Sequence, residues 1–287
     1  MRITNLQGRA AMVSTHGSAV DVATASDGRF GPDPQSLYDQ WDDFRQWAAT
    51  HDTDGGQPLD PTRIGPVVPR PRQVFAVGLN YKAHAAESGF DLPTEPVVFT
   101  KFASSLTGPA GDIELSPGNV DWEVELVVVI GREGRHIAAA DAWDHVAGLT
   151  VGQDVSDRTT QFIAPPAQFG LGKSYSSYSP IGPVLVTPDE FDDPDDIEIG
   201  CRLNGSVMQQ GRTNDLVFPV PDLIARLSAI VALLPGDLIF TGTPAGVGVG
   251  RTPPVFLSPG DELVTWAQGI GQMTHRFVPS TTPTTQK

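Results

Sequence analysis

The chain has 287 residues, 39% of them hydrophobic and 18% charged, which is enough material for a sizeable buried core. Its formal net charge of −15, from 34 acidic against 19 basic residues, argues against nucleic acid or anionic membrane as partners, since such a surface repels phosphate. A single cysteine, Cys201, excludes an internal disulfide framework and every multi-cysteine zinc or iron–sulfur site. With neither a secretory signal nor a membrane-length apolar run in the sequence, a reducing cytoplasm is the expected location.

Along the chain, Ala10 to Val22 reads as a pair of short strands around the turn at His16-Gly17-Ser18. Leu37 to Ala49 places Leu37, Trp41, Phe44 and Trp47 at helical spacing. Residues 57–73 then carry five prolines, each fixing φ and removing a donor, so this stretch is a connector. A boundary is expected near residue 70: a small N-terminal α/β unit over 1–69, a catalytic domain over 70–278, and a disordered tail over 279–287.

From Val74 onward valine- and isoleucine-rich segments alternate with Gly/Pro turns. Strands are predicted at Phe75–Gly78, Val97–Thr100, Glu123–Ile130, Leu149–Val155, Val184–Val186, Ile197–Leu203, Asp237–Thr241 and Glu262–Thr265. Helical spacing is confined to Tyr81–Ser88, Ala138–His145 and Val220–Val231. Strands dominate without regular strand–helix alternation, so the expected fold class is α+β and β-rich, and the pattern argues against a doubly wound nucleotide fold. Cys201, inside an apolar strand, is expected to be buried and inert.

The strongest chemical signal is Asp121-Trp122-Glu123-Val124-Glu125-Leu126-Val127-Val128-Val129-Ile130. Alternation puts Glu123 and Glu125 on one face, about 7 Å apart, at the entrance of a strand apolar on both faces beyond them. Two such carboxylates repel, and a bound dication removes the conflict. An exposed edge strand is the competing reading, and on this segment alone the two stand level. Asp154, at the end of the apolar Leu149–Gln153 segment, shifts the balance toward a metal. Three hard oxygen donors without a His/Cys set suit Mg²⁺, Mn²⁺ or Ca²⁺.

In Gly78-Leu79-Asn80-Tyr81-Lys82-Ala83-His84-Ala85-Ala86-Glu87-Ser88-Gly89, Asn80 has the chemistry of an N-cap and Gly89 that of a terminator. His84 and Glu87 then share one helix face, an arrangement that serves either as a water-activating pair or as a solvent-exposed ion pair. The chain has four lysines, Lys82, Lys101, Lys173 and Lys287. Lys101 and Lys173 end apolar or glycine-rich segments, where an ammonium can neutralise a substrate anion or lie on the surface. The segment GLGKS fails as a phosphate-binding loop, because Ala167 replaces its first glycine and no buried strand precedes it. The strand and glycine-rich turn from Pro235 to Gly248 permit close backbone approach to a ligand, or a plain hairpin.

Together, VGLNYKAHAAESG, PVVFTKFASSLTGP, VDWEVELVVVIGR, AGLTVGQDVSDR, GKSYSSYSPIGP and LLPGDLIFTGTPAGVG resemble, in order and spacing, the fumarylacetoacetate hydrolase family. The resemblance spans roughly residues 74 to 270. It implies a roll of mixed β-sheets behind a small variable N-terminal domain, and a homodimer. It implies Glu123, Glu125 and Asp154 as metal carboxylates, and His84 and Glu87 as the water-activating pair on a lid helix. Lys173 matches the lysine beside the metal and Thr243 the threonine lining the site, while Lys101 is a candidate substrate contact from its position. Arg158 and Gln161 fall where members place substrate-contacting groups, although VSDRTTQF departs from the commoner aromatic-rich version.

The expected reaction is metal-dependent hydrolysis of a C–C bond in a small 2,4-dioxo acid of the acylpyruvate type, giving pyruvate and a carboxylic acid. The same enolate chemistry serves oxaloacetate decarboxylation and 2-oxo-4-enoate hydration or isomerisation, which stand as alternatives. A non-catalytic ligand-binding relative is the reading from a different class. The expected partner is a small anionic 2-oxo acid, with Mg²⁺, Mn²⁺ or Ca²⁺ as cofactor.

Overall fold

The computed structural model describes residues 1–51, 53, 56–83 and 91–281. Among these, the apolar runs expected as strands pair into one large mixed sheet of twelve strands, a second sheet of five, and a two-stranded ladder. Val124–Ile130 lies inside the large sheet, antiparallel on one side to Val146–Gln153 and on the other to Leu238–Phe240. Beyond Leu238–Phe240 the sheet continues with Val74–Gly78, in parallel, and then Val97–Thr100. In the other direction it runs through Ser179–Val186 to Arg2–Leu6, Arg9–Val13 and Ser18–Asp21. The N-terminal strands thus extend the same sheet, which crosses the boundary expected near residue 70.

All seven residues of Val124–Ile130 are buried, and they divide by parity as a strand requires. Val124, Leu126, Val128 and Ile130 face a core that contains the second sheet and the helix Val220–Ile230. Val127 and Val129 face a second core, filled by Leu37, Tyr38, Trp41, Phe44 and Trp47 of the N-terminal segment. The single helix expected over Leu37–Ala49 is instead two, Pro34–Tyr38 and Trp41–Ala48. Asp33 caps the first through the Gln35 N–H with Pro34 in its first turn, and Gln40, at φ −135° and ψ 37°, breaks the continuation.

The second sheet contains Ser206–Arg212, Glu198–Leu203, Glu262–Ala267, Gly271–Val278 and Ala110–Glu114, the last pair parallel. The helical spacing at 138–145 corresponds to a 3₁₀ segment, Ala139–His145. Most of the expected helix after Tyr81, including His84 and Glu87, lies outside the described residues. Of the expected tail, Ser280 and Thr281 hydrogen-bond the Glu114 carboxylate, and residues 282–287 lie outside the described part. Among the described residues no helix is long and apolar enough to cross a membrane.

Candidate functional site

The antiparallel register Val124↔Gln153 sets the beginning of one central strand beside the end of its neighbour. Glu123 and Asp154 therefore stand across the ladder from each other, the Asp154 N–H donating to the Glu123 carbonyl at 2.8 Å. Glu125 lies two residues inward, opposite Gly152. Glu123, Glu125 and Asp154 each offer a carboxylate oxygen, and these oxygens lie within 4.8 Å of one another. All three residues are buried, at 6%, 2% and 0% exposure, which removes the solvent-facing alternative.

Each carboxylate is held by its surroundings. The Glu123 N–H donates to Gln153 Oε1 at 2.8 Å, and Gln153 Nε2 is anchored on Thr265 Oγ1 at 3.0 Å. Gly242 N–H donates to Glu125 Oε2 at 2.8 Å. Gly242 sits at φ +106°, and a Cβ there would lie 2.8 Å from Asn80 Cβ, so this turn needs glycine. The Asn80 side chain donates to the Phe218 and Thr241 carbonyls and accepts from the Phe218 N–H, while most of the helix it was expected to cap lies outside the described residues.

Three buried cations meet this cluster. Lys173 Nζ bridges Glu123 Oε2 at 2.6 Å and Asp154 Oδ2 at 2.7 Å. Lys101 Nζ bonds Asp154 Oδ1 and the carbonyls of Lys173 and Tyr178, with its side chain fully enclosed. Arg158 donates to Asp121 Oδ2 through Nε (2.9 Å) and Nη2 (2.8 Å), to Glu123 Oε1 at 2.6 Å, and to Gln161 Oε1 at 2.9 Å. Burial opposes the Lys173 charge, but Asp154 and Glu123 outweigh it and hold the ammonium above its usual range. Burial brings Lys101 below its usual range despite Asp154.

Asp121 was not singled out by sequence reasoning, yet it organises one wall. Besides Arg158 it accepts the N–H groups of Trp122 (2.8 Å), Gly248 (2.7 Å) and Val249 (2.9 Å). The glycine-rich turn after the Leu238–Phe240 strand therefore wraps a carboxylate of the protein itself. A Cβ on Gly248 would fall 2.6 Å from Asp121 Oδ1 and 2.0 Å from the Val255 carbonyl. Gln209 is a second residue that sequence reasoning missed. It accepts from the Val124 N–H and donates to Thr243 Oγ1 at 2.7 Å, fixing that threonine at the cavity. Cys201, buried beside Gln209, has its thiol pushed up to about 12 by burial, as an inert core thiol should.

The balance of charge says what the cluster can hold. Asp121, Glu123, Glu125 and Asp154 face Lys101, Arg158 and Lys173, one negative charge in excess. The excess is felt at Glu125: burial, then Asp154 and Glu123, push its carboxyl well above the usual carboxylate range. An oxygen-only donor set with surplus negative charge fits a hard divalent cation, and with one bound the cluster carries a net positive charge. Glu123, Glu125, Arg158, Gln161, Lys173 and Thr243 all line one cavity of about 180 Å³, whereas Lys101 lies behind it.

Comparison with known proteins agrees with this architecture. Residues 73–278 match the model of the fumarylacetoacetate (FAA) hydrolase C-terminal family. The human mitochondrial oxaloacetate tautomerase FAHD2A is 49% identical over 219 residues, 76% of this chain and 69% of that one. A Mycobacterium smegmatis protein provisionally assigned as HpcE superposes with a TM-score of 0.93 at 55% identity, over 98% of this chain and 100% of that chain. Fumarylpyruvate hydrolase from Pseudomonas aeruginosa, in complex with Mn²⁺ and pyruvate, gives a TM-score of 0.67 at 32% identity, over 73% and 90% of the two chains. The mixed sheets, the sequence match and the buried acidic triad agree, and the chain belongs to the fumarylacetoacetate hydrolase family of enzymes.

Proposed function

We propose that the protein is a divalent-metal enzyme, with Mg²⁺ or Mn²⁺ as the working ion. It holds a small 2-oxo acid by its carboxylate and keto oxygens and cleaves the C–C bond of an acylpyruvate by hydrolysis. The observation that carries this reading is the buried Glu123–Glu125–Asp154 triad, whose Glu123 and Glu125 line a cavity together with Lys173. When bound, the ion supplies positive charge where oxyanion character develops on the substrate. Glu123, Glu125 and Asp154 would hold it, and Gly242 N–H and Lys173 keep those carboxylates oriented.

The chain's own groups divide the remaining work. Water adds to the C4 carbonyl and the C3–C4 bond breaks. Its electron pair passes through C3 to the C2 oxygen, and a proton delivered to C3 completes pyruvate. Lys173, which lines the cavity, is proposed to offset the charge that grows on that oxygen, which would lower the barrier more than it tightens ground-state binding. His84, supported by Glu87, is proposed from the sequence as the base that deprotonates the water. Thr243 and Gln161 are proposed as hydrogen-bonding contacts at the head of the substrate. Arg158, committed to Asp121, Glu123 and Gln161, acts chiefly by holding Glu123. The Lys101 contact with substrate expected from sequence is replaced in this reading by support of Asp154 from behind.

The test is incubation of the Mg²⁺-loaded enzyme with acetylpyruvate, with pyruvate release and loss of the diketone absorbance as readouts. Turnover abolished by EDTA is expected, and turnover that survives chelation refutes the proposal. Removing the base by His84→Ala should slow hydrolysis by roughly 10²–10⁴. A second reading, enol–keto tautomerisation of oxaloacetate, is favoured by the identity to the human tautomerase. It uses the same head-group site, with a proton moving between C3 and the C2 oxygen, and it predicts accelerated enol decay without pyruvate release. A homodimer is proposed as the assembly, with light scattering as the check.

A further inference from the structure

We infer that the outer half of this cavity selects a 2-oxo acid whose far end is uncharged and apolar, an alkyl or aryl acyl group, over a dicarboxylate. The inference rests on the head-group binding proposed above and concerns the opposite end of the same cavity.

The outer half is walled by Leu79, Val97, Phe99, Phe162, Phe169 and Val249. The apolar wall begins where the charged cluster stops: Lys173 Nζ lies 5.3 Å from the centre of the Phe99 ring, and the Phe169 ring follows 5.6 Å from Phe99. The cations among the described lining residues are Arg158 and Lys173. Both are directed inward, Arg158 onto Asp121, Glu123 and Gln161, and Lys173 onto Glu123 and Asp154. A second carboxylate placed against the aromatic wall surrenders its hydration and meets no cation among the described residues. An alkyl or aryl group in that place is removed from water with gain. The cluster of charge thus reads the 2-oxo acid head, and the six apolar side chains read the acyl tail. This ranks 2-oxo acids with uncharged tails above those whose tail ends in a second carboxylate.

Calorimetry on the Mn²⁺-loaded full chain tests this with three ligands: oxalate as a head group alone, and 2-oxohexanoate and 2-oxoadipate as tails of equal length differing in charge. Oxalate is expected to bind, and 2-oxohexanoate to bind at least about tenfold more tightly than 2-oxoadipate. Phe162 is 58% exposed, so Phe162→Arg changes the wall without opening the core, and it should narrow or reverse that ratio. Equal or tighter binding of 2-oxoadipate by the wild type, or a ratio unmoved by Phe162→Arg, overturns the tail assignment and leaves the head-group reading standing. Failure of oxalate to bind overturns the head-group reading, and the tail assignment with it.

Discussion

Glu123 and Asp154 are joined twice, by a backbone hydrogen bond of 2.8 Å across the ladder and by the Lys173 ammonium, which reaches both carboxylates at 2.6 and 2.7 Å. Lys173 occupies the place of a counter-ion in a cluster that still carries excess acid. Replacing it with an uncharged side chain of similar length leaves two buried carboxylates facing each other. Lys173→Met should destabilise the metal-free protein by about 3–5 kcal/mol. Thermal denaturation with and without Mn²⁺ checks this, and the deficit should shrink with the ion present. Turnover of the Mn²⁺-loaded enzyme should fall as well.

Metal binding should release a proton. The Glu125 carboxyl is held well above the usual carboxylate range by burial and by Asp154 and Glu123, so the metal-free site retains its proton at pH values where an ordinary carboxyl is ionised. The ion binds the deprotonated form, so affinity should fall as pH drops through that raised range, with about one proton released per ion. Titration calorimetry in buffers of different ionisation enthalpy measures the proton count. In the metal-free protein the raised value means stability present at low pH and lost as pH rises, and the ion removes that loss.

His275 provides a second, independent pH dependence. Its ring is buried, Nε2 lies 3.0 Å from the Gly108 carbonyl, and Nδ1 has no partner among the described residues. Burial, which penalises the charged ring, brings its pKa down from 6.5 to about 4, against the Gly108 hydrogen bond that favours the charge. The unfolded chain takes up that proton first, so stability present above about pH 6.5 is lost as pH falls toward about 4, by about 3 kcal/mol in all. Melting curves of wild type and His275→Gln between pH 7 and pH 4.5 should converge as pH falls. Parallel curves would show that His275 does not titrate in this window.

Asp121→Asn should behave as a lesion of the site although Asp121 holds no substrate. It removes the charge that Arg158 and the Gly248 and Val249 N–H groups share. A cost of about 3–5 kcal/mol is expected for an uncompensated buried partner. Because Arg158 also positions Glu123, Mn²⁺ affinity should weaken together with the melting temperature. A variant that loses stability but binds Mn²⁺ as tightly as wild type would confine Asp121 to the fold.

Much of this site is written in local pattern. Strand alternation places Glu123 and Glu125 together, and the apolar run behind them announces a strand buried on both faces. The arrival of Asp154 depends on the register Val124↔Gln153, a long-range pairing that local spacing does not specify. Asp121 reads as an ordinary turn carboxylate until the glycine-rich loop, more than a hundred residues later, folds onto it. Lys101 could be read either way, and only tertiary packing makes it a buried strut. In the fold, Gly271–Val278 was overlooked although Met273, His275 and Phe277 alternate inward, because polar residues and a starting glycine dilute the signal. Ser206–Arg212, polar at the sheet margin, gave less still. The break at Gln40 inside an aromatic-rich helical pattern likewise follows from how two short helices pack, since Trp41 and Tyr38 stack at 5.6 Å across it.

The strand that presents Glu123 and Glu125 is gripped from both sides by separate cores, so mutual repulsion of the acids has no backbone slack through which to relax. A cradle this stiff should be intolerant of radius. It should admit ions near the size it was built around and reject larger ones, with the tolerance governed by hydrophobic residues such as Val127 and Val129 that never touch the ion. Thinning that packing should widen the range of cations accepted before it weakens the grip on any one of them.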